Sequence, residues 1–119
     1  MSLSLIEERN AAMNRAIEQG EGEQAFEEFY AENIVMMEND QVFEGKEANR
    51  QRQIAFANSV ETYHSVAVTS SAVIGNISFA EMAFELTFKD GNRITLEEVA
   101  VRRWNDAGQI VHERFYYKG

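Results

Sequence analysis

The chain has 119 residues, of which 45% are hydrophobic, and this is enough to form one domain over residues 1–119 with a buried core. It contains no cysteine, which excludes a disulfide framework and thiolate chemistry. The net charge is −9, and residues 1–44 account for all of it with eleven acidic and two basic residues, so a nucleic-acid partner, which needs a basic surface, is not expected.

No apolar run in the sequence is long enough to span a bilayer, and the first residues lack the basic end and apolar stretch of a signal peptide. We therefore expect a cytoplasmic protein with no membrane partner. An acidic surface of this kind can dock a basic partner, but it is more often a solvated face.

Hydrophobic periodicity predicts three helices and two short strands in the first half of the chain. Gly20 ends the first helix, and the second helix places Phe26, Phe29 and Tyr30 inward. After the first helix, the predicted ranges are 22–32 for a helix, 34–37 and 41–43 for strands, and roughly 46–58 for a helix.

From Val60 onward the pattern changes to long strands with short turns between them. Asp90-Gly91 is a strong hairpin signal, and Gly75-Asn76 and Asn105–Gly108 mark the other two turns. The predicted strands are 60–74, 77–89, 93–104 and 109–117. Helices followed by a meander predict an α+β domain, with the helices packed on an antiparallel sheet.

Tight hairpins fix the register of a sheet, and the register decides which side chains share a face. Two-residue turns place Val66 opposite Glu85 and Ala83 opposite Glu98, and the last hairpin places Ala100 opposite Glu113. One face then carries His64, Val66, Val68, Phe79, Glu81, Ala83, Glu85, Leu96, Glu98, Arg102, Trp104, Val111, Glu113, Phe115 and Tyr117.

The opposite face of this predicted sheet is also rich in apolar residues. It carries Met82, Phe84, Leu86, Val99, Val101, Arg103, Arg114 and Tyr116. Because both faces look half-buried, we expect one to meet the helices and the other to meet a partner subunit. A single β-bulge would swap the faces of a strand.

Three runs of the sequence resemble the nuclear transport factor 2-like superfamily, which includes SnoaL-type polyketide cyclases and ketosteroid isomerases. The runs are Ala25 to Glu38, Gly45 to Ala48 and Arg103 to Val111, and the likeness extends over nearly the whole chain. It implies a curved sheet wrapped around three helices as a cone with an internal apolar pocket, commonly in a homodimer. A fold shared by so many chemistries does not name a reaction.

By this resemblance, Glu38 stands where the isomerases have their catalytic aspartate. The oxyanion tyrosine of the first helix corresponds to Met13 or Asn14, and the aspartic acid on the sheet corresponds to Ala100. Both oxyanion donors are therefore missing, which argues against ketosteroid isomerisation by that route.

The limonene epoxide hydrolases of this fold use two acids that bracket an arginine. Glu98, Arg102 and Glu113 are similar in type to that set but differ in spacing. A structural ion pair between Arg102 and Glu113 is the alternative, since a buried charge needs a partner. The other possibility is that Arg102 anchors a carboxylate or carbonyl of a substrate.

Glu38 and His64 are the candidate catalytic residues, because a carboxyl in an apolar cone or a histidine beside Glu85 can transfer protons near neutral pH. The alternatives are a solvent-facing glutamate at the rim and a structural histidine. The candidate substrate-binding residues are Glu85, Glu98, Arg102, Trp104, Glu113 and Tyr117.

The resulting prediction is a SnoaL-like protein that binds a small molecule, as an isomerase, cyclase, dehydratase or hydrolase that uses acid–base chemistry on a partly apolar substrate. No cofactor is expected. A metal held by Glu85, Glu98, Glu113 and His64 is a minor alternative without supporting spacing. The competing hypothesis is a non-catalytic ligand-binding or interaction module. In either case we expect a homodimer that forms through the sheet.

Overall fold

The computed structural model describes residues 3–117, with side chains from Leu5 onward. It contains three helices and six strands, which confirms the α+β prediction. The elements are α1 Leu3–Glu18, α2 Gly22–Phe29, β1 Tyr30–Glu38, β2 Gln41–Glu44, α3 Lys46–Ser59, β3 Val60–Ile74, β4 Ile77–Phe88, β5 Arg93–Trp104 and β6 Ile110–Tyr117.

The six strands form one sheet in the order β2-β1-β6-β5-β4-β3. All neighbouring strands are antiparallel except β1 and β6, which run parallel. The meander that the sequence predicts from Val60 onward is therefore present. The second helix ends at Phe29, earlier than predicted, because Tyr30 is extended and pairs with Ile110 of β6.

The hairpin between β4 and β5 differs from the prediction by one residue. The N–H of Phe88 donates to the carbonyl of Asn92 over 2.8 Å, so the loop has three residues, with Gly91 at a φ of +93°. Glu98 consequently pairs with Met82 rather than with Ala83. Because side chains alternate along a strand, this slip exchanges the two faces of β4.

The face prediction is therefore wrong for β4. Alternate β4 residues from Ser78 to Leu86 face the helices, whereas Glu81, Ala83 and Glu85 lie on the outer face. In β3, the pairing next to the Gly75-Asn76 turn is as predicted, with Ile74 opposite Ile77, but three register shifts follow along the strand. Such bulges bend and twist a strand.

The β5–β6 hairpin keeps the predicted faces although its register differs by two residues. Arg102 pairs with Glu113, and Ala100 pairs with Phe115. A shift by two leaves the side chains from His112 to Tyr117 on their predicted side of the sheet. The register shifts again between Arg103 and Trp104, and Ile110, which was not predicted for the inner face, pairs with Trp104 and is buried there. Glu98, Arg102, Glu113 and Tyr117 therefore share the inner face, which is the face covered by the helices.

The largest hydrophobic cluster packs α1 and α2 against the inner face of β1, β5 and β6. Its buried members are Ile6, Met13, Ala25, Phe26, Phe29, Tyr30, Ile34, Met36, Trp104 and Ile110. A smaller cluster of Ala80, Met82 and Ala100 continues the core along the sheet. Within residues 3–117, no helix is long and apolar enough to cross a membrane.

Candidate functional site on the inner face

Burial along the inner side of β5 is lost between Ala100 and Glu98. Trp104, Arg102 and Ala100 are almost fully buried, whereas Glu98 and Leu96 are only half-buried. The inner face is therefore closed near Trp104 and accessible near Glu98. We call the accessible region the open end, and it is formed by Glu38, Phe84, Leu96, Glu98, Phe115 and Tyr117, all half-buried.

A buried ion pair lies next to the open end. Nε of Arg102 donates to Oε2 of Glu113 over 3.1 Å, and both residues are 0% exposed. The other carboxylate oxygen of Glu113 accepts a hydrogen bond from the hydroxyl of Tyr30. Burial raises the pKa of Glu113 and the Arg102 charge opposes this rise, while burial also raises the pKa of Tyr30 well above its ordinary value.

Two asparagines of α1 hold Arg102 from the other side. Nη1 of Arg102 donates to Oδ1 of Asn10 over 2.9 Å and to Oδ1 of Asn14 over 2.7 Å. The Nδ2 atoms of both asparagines donate to Oγ of Ser71, and Ser71 donates to the carbonyl of Phe79 over 2.7 Å. This chain of hydrogen bonds ties α1 to β3 and fixes the guanidinium. Among the described residues, only Nη2 of Arg102 has no partner in this network.

Glu98 is one of the two carboxyl groups at the open end. Its carboxyl makes no hydrogen bond or ion pair with any other residue of the range 3–117. Burial, followed by the negative charges of Glu113 and Glu38, raises the pKa of Glu98 to about 7. A carboxyl with such a pKa can both donate and accept a proton at neutral pH.

Glu38 lies at the rim of the open end, at the last position of β1. Its carboxylate is bonded to Arg52 of α3, and its side chain is 35% exposed. Arg52 also donates to Oδ1 of Asn49 over 2.8 Å and lies 3.5 Å from the ring centroid of Phe43. The charge of Glu38 is therefore already paired at the rim.

Tyr117 lies between the two acids of the open end. It pairs with Glu98 across β5 and β6, and its N–H donates to Oδ1 of Asn39 over 3.2 Å. Burial raises the pKa of Tyr117, and the charges of Glu38 and Glu98 raise it further. Its phenol is thus a neutral hydrogen-bonding group beside both carboxyls.

His64 and Glu85 lie away from the open end, contrary to the predicted shared face. His64 is exposed, with Nε2 2.7 Å from Oγ1 of Thr87. Glu85 is bonded to Arg93, which lowers the pKa of Glu85, and the charge of His64 adds to this effect. The bulges of β3 and the slip of β4 explain the different placement.

Trp104 is on the inner face, but at its closed end. Nε1 of Trp104 donates to Oγ of Ser78 over 2.9 Å, and its ring meets the ring of Phe29 edge-on at 6.4 Å. Its aromatic surface therefore belongs to the core and not to the open end.

Two surface grooves lie between helices, outside the inner face. One of about 480 Å³ is lined by α1 and α2, and the other, of about 330 Å³, is lined by α2 and α3. Neither groove is lined by a residue that the sequence analysis singled out as a site residue. Within residues 3–117, no group of three or more histidine, aspartate or glutamate side chains is placed to hold a metal ion.

The comparison with known families identifies the domain. The model of the SnoaL-like domain matches residues 5–117. The chain belongs to the SnoaL-like family. No curated protein matches it significantly.

Solved structures agree with this SnoaL-like assignment. A candidate SnoaL-like polyketide cyclase from Mesorhizobium loti superposes with a TM-score of 0.83 at 28% identity, covering 98% of this chain and 100% of that chain. A candidate SnoaL-like polyketide cyclase from Jannaschia has a TM-score of 0.80 at 14% identity, covering 99% and 90%. A protein from Catenulispora acidiphila with a ketosteroid isomerase-like fold, in complex with trimethylamine, has a TM-score of 0.75 at 14% identity, covering 93% and 85%.

Several polar residues of this SnoaL-like domain were missed as site residues by the sequence analysis. Asn10 and Asn14 stand four residues apart within the apolar stripe of Ile6, Met13 and Ile17. Polar residues inside an apolar helical stripe indicate a buried hydrogen-bond network. The sequence contained no comparable signal for Tyr30, Arg52 or Ser71, whose partners are distant in the chain.

Proposed function

We propose that this SnoaL-like domain binds a small, partly apolar molecule at the open end, and that Glu98 transfers a proton to or from it. The observation that carries the proposal is the loss of burial along β5 towards Glu98. Beside that carboxyl, Phe84 and Phe115 supply apolar surface and Tyr117 supplies a hydroxyl. An apolar cleft with a few convergent polar groups is the usual form of a ligand site.

The reactions consistent with this site are isomerisation, cyclisation, dehydration and hydrolysis, since each of them moves a proton at carbon or oxygen. Glu98 is favoured over Glu38 as the proton-transfer group, because the charge of Glu38 is held by Arg52. In this proposal Glu38 and Tyr117 orient the ligand, and the pair of Arg102 and Glu113 fixes the electrostatic environment of Glu98.

The names given to structurally similar proteins support a role in small-molecule chemistry. The protein from Mesorhizobium loti is named as a candidate polyketide cyclase, and a neighbour from Streptomyces galilaeus, at 13% identity, is named as a candidate hydroxylase. The complex with trimethylamine shows that another member of this fold holds a small ligand.

The test is a screen of small aromatic and alicyclic ketones, esters and epoxides, with binding followed by saturation-transfer NMR and turnover followed by chromatography. We expect Glu98→Gln to keep binding and to lose turnover by roughly 100-fold or more, the usual contribution of a positioned acid or base. Glu32→Gln, on an exposed residue, is the matched control. Unchanged turnover in Glu98→Gln would exclude Glu98 as the proton-transfer group.

A non-catalytic ligand-binding module is the second candidate. It is favoured by one observation: the strongest hydrogen-bond donors of the inner face are already engaged. Arg102 is bonded to Glu113 and to two asparagines, which leaves a single nitrogen free. Binding of a screened compound without turnover, in the wild type as in Glu98→Gln, would support this candidate.

We also propose that the domain pairs with a second copy through the outer face of the sheet. Val99, Val101 and Phe79 are half-buried there although no element within residues 3–117 covers them, and Tyr116 is 45% exposed. An apolar sheet face of this kind is typical of an interaction surface. Sedimentation equilibrium tests the proposal, and a monomer at every concentration would refute it.

A further inference from the structure

The open end and its surroundings hold one acid that no cation of the described chain contacts. At the rim, Glu38 is bonded to Arg52 of α3. Further along the inner face, Glu113 is bonded to Arg102 over 3.1 Å. Glu98 is the third acid, and it makes no hydrogen bond or ion pair within residues 3–117. When Glu98 is ionised, this region therefore carries one negative charge without a partner.

Neither of the two arginines is free to move to Glu98. Arg52 is bonded to Glu38 and also donates to Oδ1 of Asn49 over 2.8 Å. Arg102 is 0% exposed, and two asparagines of α1 hold its Nη1 at 2.7 and 2.9 Å. Among the described residues, the cations nearest to Glu98 are thus fixed by other partners. A cation that pairs with Glu98 has to come from another molecule.

Three aromatic residues surround Glu98 on the inner face, and all three are half-buried. Tyr117 lies directly opposite Glu98 across β5 and β6. Phe84 of β4 and Phe115 of β6 are its diagonal neighbours, since they pair with the inner residues that precede and follow Glu98 on β5. Diagonal neighbours in a sheet lie about 7–8 Å apart, which is within reach of aromatic side chains. The carboxyl is therefore set among three rings.

These three rings make no aromatic or cation contact of their own. Within residues 3–117, none of them stacks on another ring, and no arginine or lysine lies over them. The ring of Phe43, in contrast, lies 3.5 Å from the guanidinium of Arg52. An aromatic face attracts a cation within about 6 Å of its centroid. The rings beside Glu98 can therefore contribute to the binding of a cation that the chain itself does not supply.

We propose that the ligand of the open end carries a methylated ammonium group, which pairs with the Glu98 carboxylate among the three rings around it. The inference rests on the ligand site proposed above and adds the charge and the substitution of its ligand. A primary ammonium has three N–H donors that need acceptors, but the inner-face neighbours of Glu98 on β4 and β5 are all apolar. A tertiary or quaternary ammonium has one such donor or none, and it presents methyl groups to the rings.

Ligand groups of other charge fit this site less well. An anionic group would meet the ionised Glu98 without a cation within contact distance to receive it. A neutral group can accept a hydrogen bond from protonated Glu98, but it gains no electrostatic attraction from the rings. A bound ammonium also keeps Glu98 ionised at neutral pH, so Glu98 enters the proposed proton transfer as the acceptor.

The test compares choline with its neutral isostere 3,3-dimethylbutan-1-ol, in which a carbon atom replaces the nitrogen. Binding to the full chain is followed by NMR titration at low ionic strength, where charge pairing is least screened. At pH 8 we expect choline to bind roughly tenfold more tightly than the alcohol, because only choline pairs with the carboxylate and the rings as a cation.

The pH dependence identifies the group that binds the cation. Burial and the charges of Glu113 and Glu38 raise the pKa of Glu98 to about 7, and the charge of Arg102 opposes this rise. The phenol of Tyr117 stays neutral because its pKa is raised. Choline keeps its charge at every pH, so lowering the pH from 8 to 5.5 removes only the carboxylate. The affinity for choline should then fall by roughly fivefold, and that for the alcohol by less than about twofold.

Two variants locate the cation. Glu98→Gln is expected to abolish both the preference for choline and its pH dependence, whereas Glu32→Gln, which makes the same change of net charge at an exposed residue, should retain both. Phe84→Leu replaces a ring by an apolar side chain, so it should weaken choline binding by roughly threefold or more and leave the alcohol nearly unaffected. Circular dichroism of each variant checks the fold.

The outcomes separate the charge of the ligand from the existence of the site. Equal binding of choline and the alcohol by the wild type refutes the ammonium group and leaves the ligand site, and this comparison needs no variant to fold. A preference for choline that Glu98→Gln retains also refutes the inference, because the cation then binds elsewhere on the acidic surface. Binding of neither compound refutes it as well, and the turnover screen with neutral substrates still tests the proposed function separately.

Discussion

Replacing Glu98 by glutamine should stabilise the protein at alkaline pH and have little effect at acidic pH. Burial raises the pKa of Glu98 from 4.5 to about 7, so the folded state binds the carboxyl proton more tightly than the unfolded state does. Stability therefore decreases as the pH rises from the unfolded to the folded pKa and is constant above the folded pKa. Glutamine imitates the protonated, neutral side chain at every pH.

The pKa difference sets the size of this effect. A rise from 4.5 to about 7 corresponds to roughly 3 kcal/mol, which is an upper value because Glu98 keeps contact with solvent. At pH 8 we expect Glu98→Gln to be more stable than the wild type by about 2–3 kcal/mol. At pH 4.5 or below, the two proteins should differ by less than about 1 kcal/mol, since both side chains are then largely neutral.

Urea unfolding at half-unit steps between pH 4.5 and 8.5 measures this difference. The fluorescence of Trp104 reports unfolding, because it is the only tryptophan of the chain and is 1% exposed. Other carboxyls, such as that of Glu85, have lowered pKa values and affect both proteins equally. Glu32→Gln serves as the control for loss of a charge. A stability difference that is the same at pH 5 and pH 8 would refute the assignment of a raised pKa to Glu98.

Three further substitutions test the packing around the site, and urea unfolding measures each. Arg102→Met leaves the Glu113 carboxylate buried without its cation, so we expect the free energy of unfolding to fall by about 3–5 kcal/mol. A fall of less than about 1 kcal/mol would contradict a buried ion pair. Ser71→Ala removes the hydroxyl that accepts from the amides of Asn10 and Asn14, so the free energy of unfolding should fall by about 1–3 kcal/mol. An unchanged free energy of unfolding would mean that the two asparagines find other partners. Gly108 has a φ of +76°, and the Cβ that Gly108→Ala adds would lie 2.6 Å from Cδ of Arg9. We expect the free energy of unfolding to fall by about 1–3 kcal/mol. An unchanged stability would show that Arg9 moves aside freely.

The extent of the strands could be predicted from the sequence because turn residues and apolar alternation act locally. The predicted faces of the β5–β6 hairpin were also correct from His112 to Tyr117, since a register error of two residues leaves the alternation unchanged. The further register shift beside Trp104 was not predicted. The β4 faces were wrong for an equally local reason. Asp90-Gly91 is compatible with loops of two or three residues, and the observed loop has three.

The site was only partly predictable because its properties depend on contacts between distant parts of the chain. Alternation along β5 and β6 places Glu98, Arg102 and Glu113 on one face, and this much can be obtained from the sequence. The bonds from Asn10 and Asn14 to Ser71 join residues about 60 positions apart. Which glutamate is half-buried without a partner depends on how far the helices cover the sheet, and hydrophobic periodicity does not determine that.

The most direct test of the open end as a ligand site is a crystal structure soaked at pH 7 with the small ketones, esters and epoxides of the screen. Our account predicts electron density for a compound among Phe84, Phe115 and Tyr117, with a polar atom within hydrogen-bond distance of the Glu98 carboxyl. Compounds bound only in the groove between α1 and α2, or an open end that excludes every compound, would contradict it.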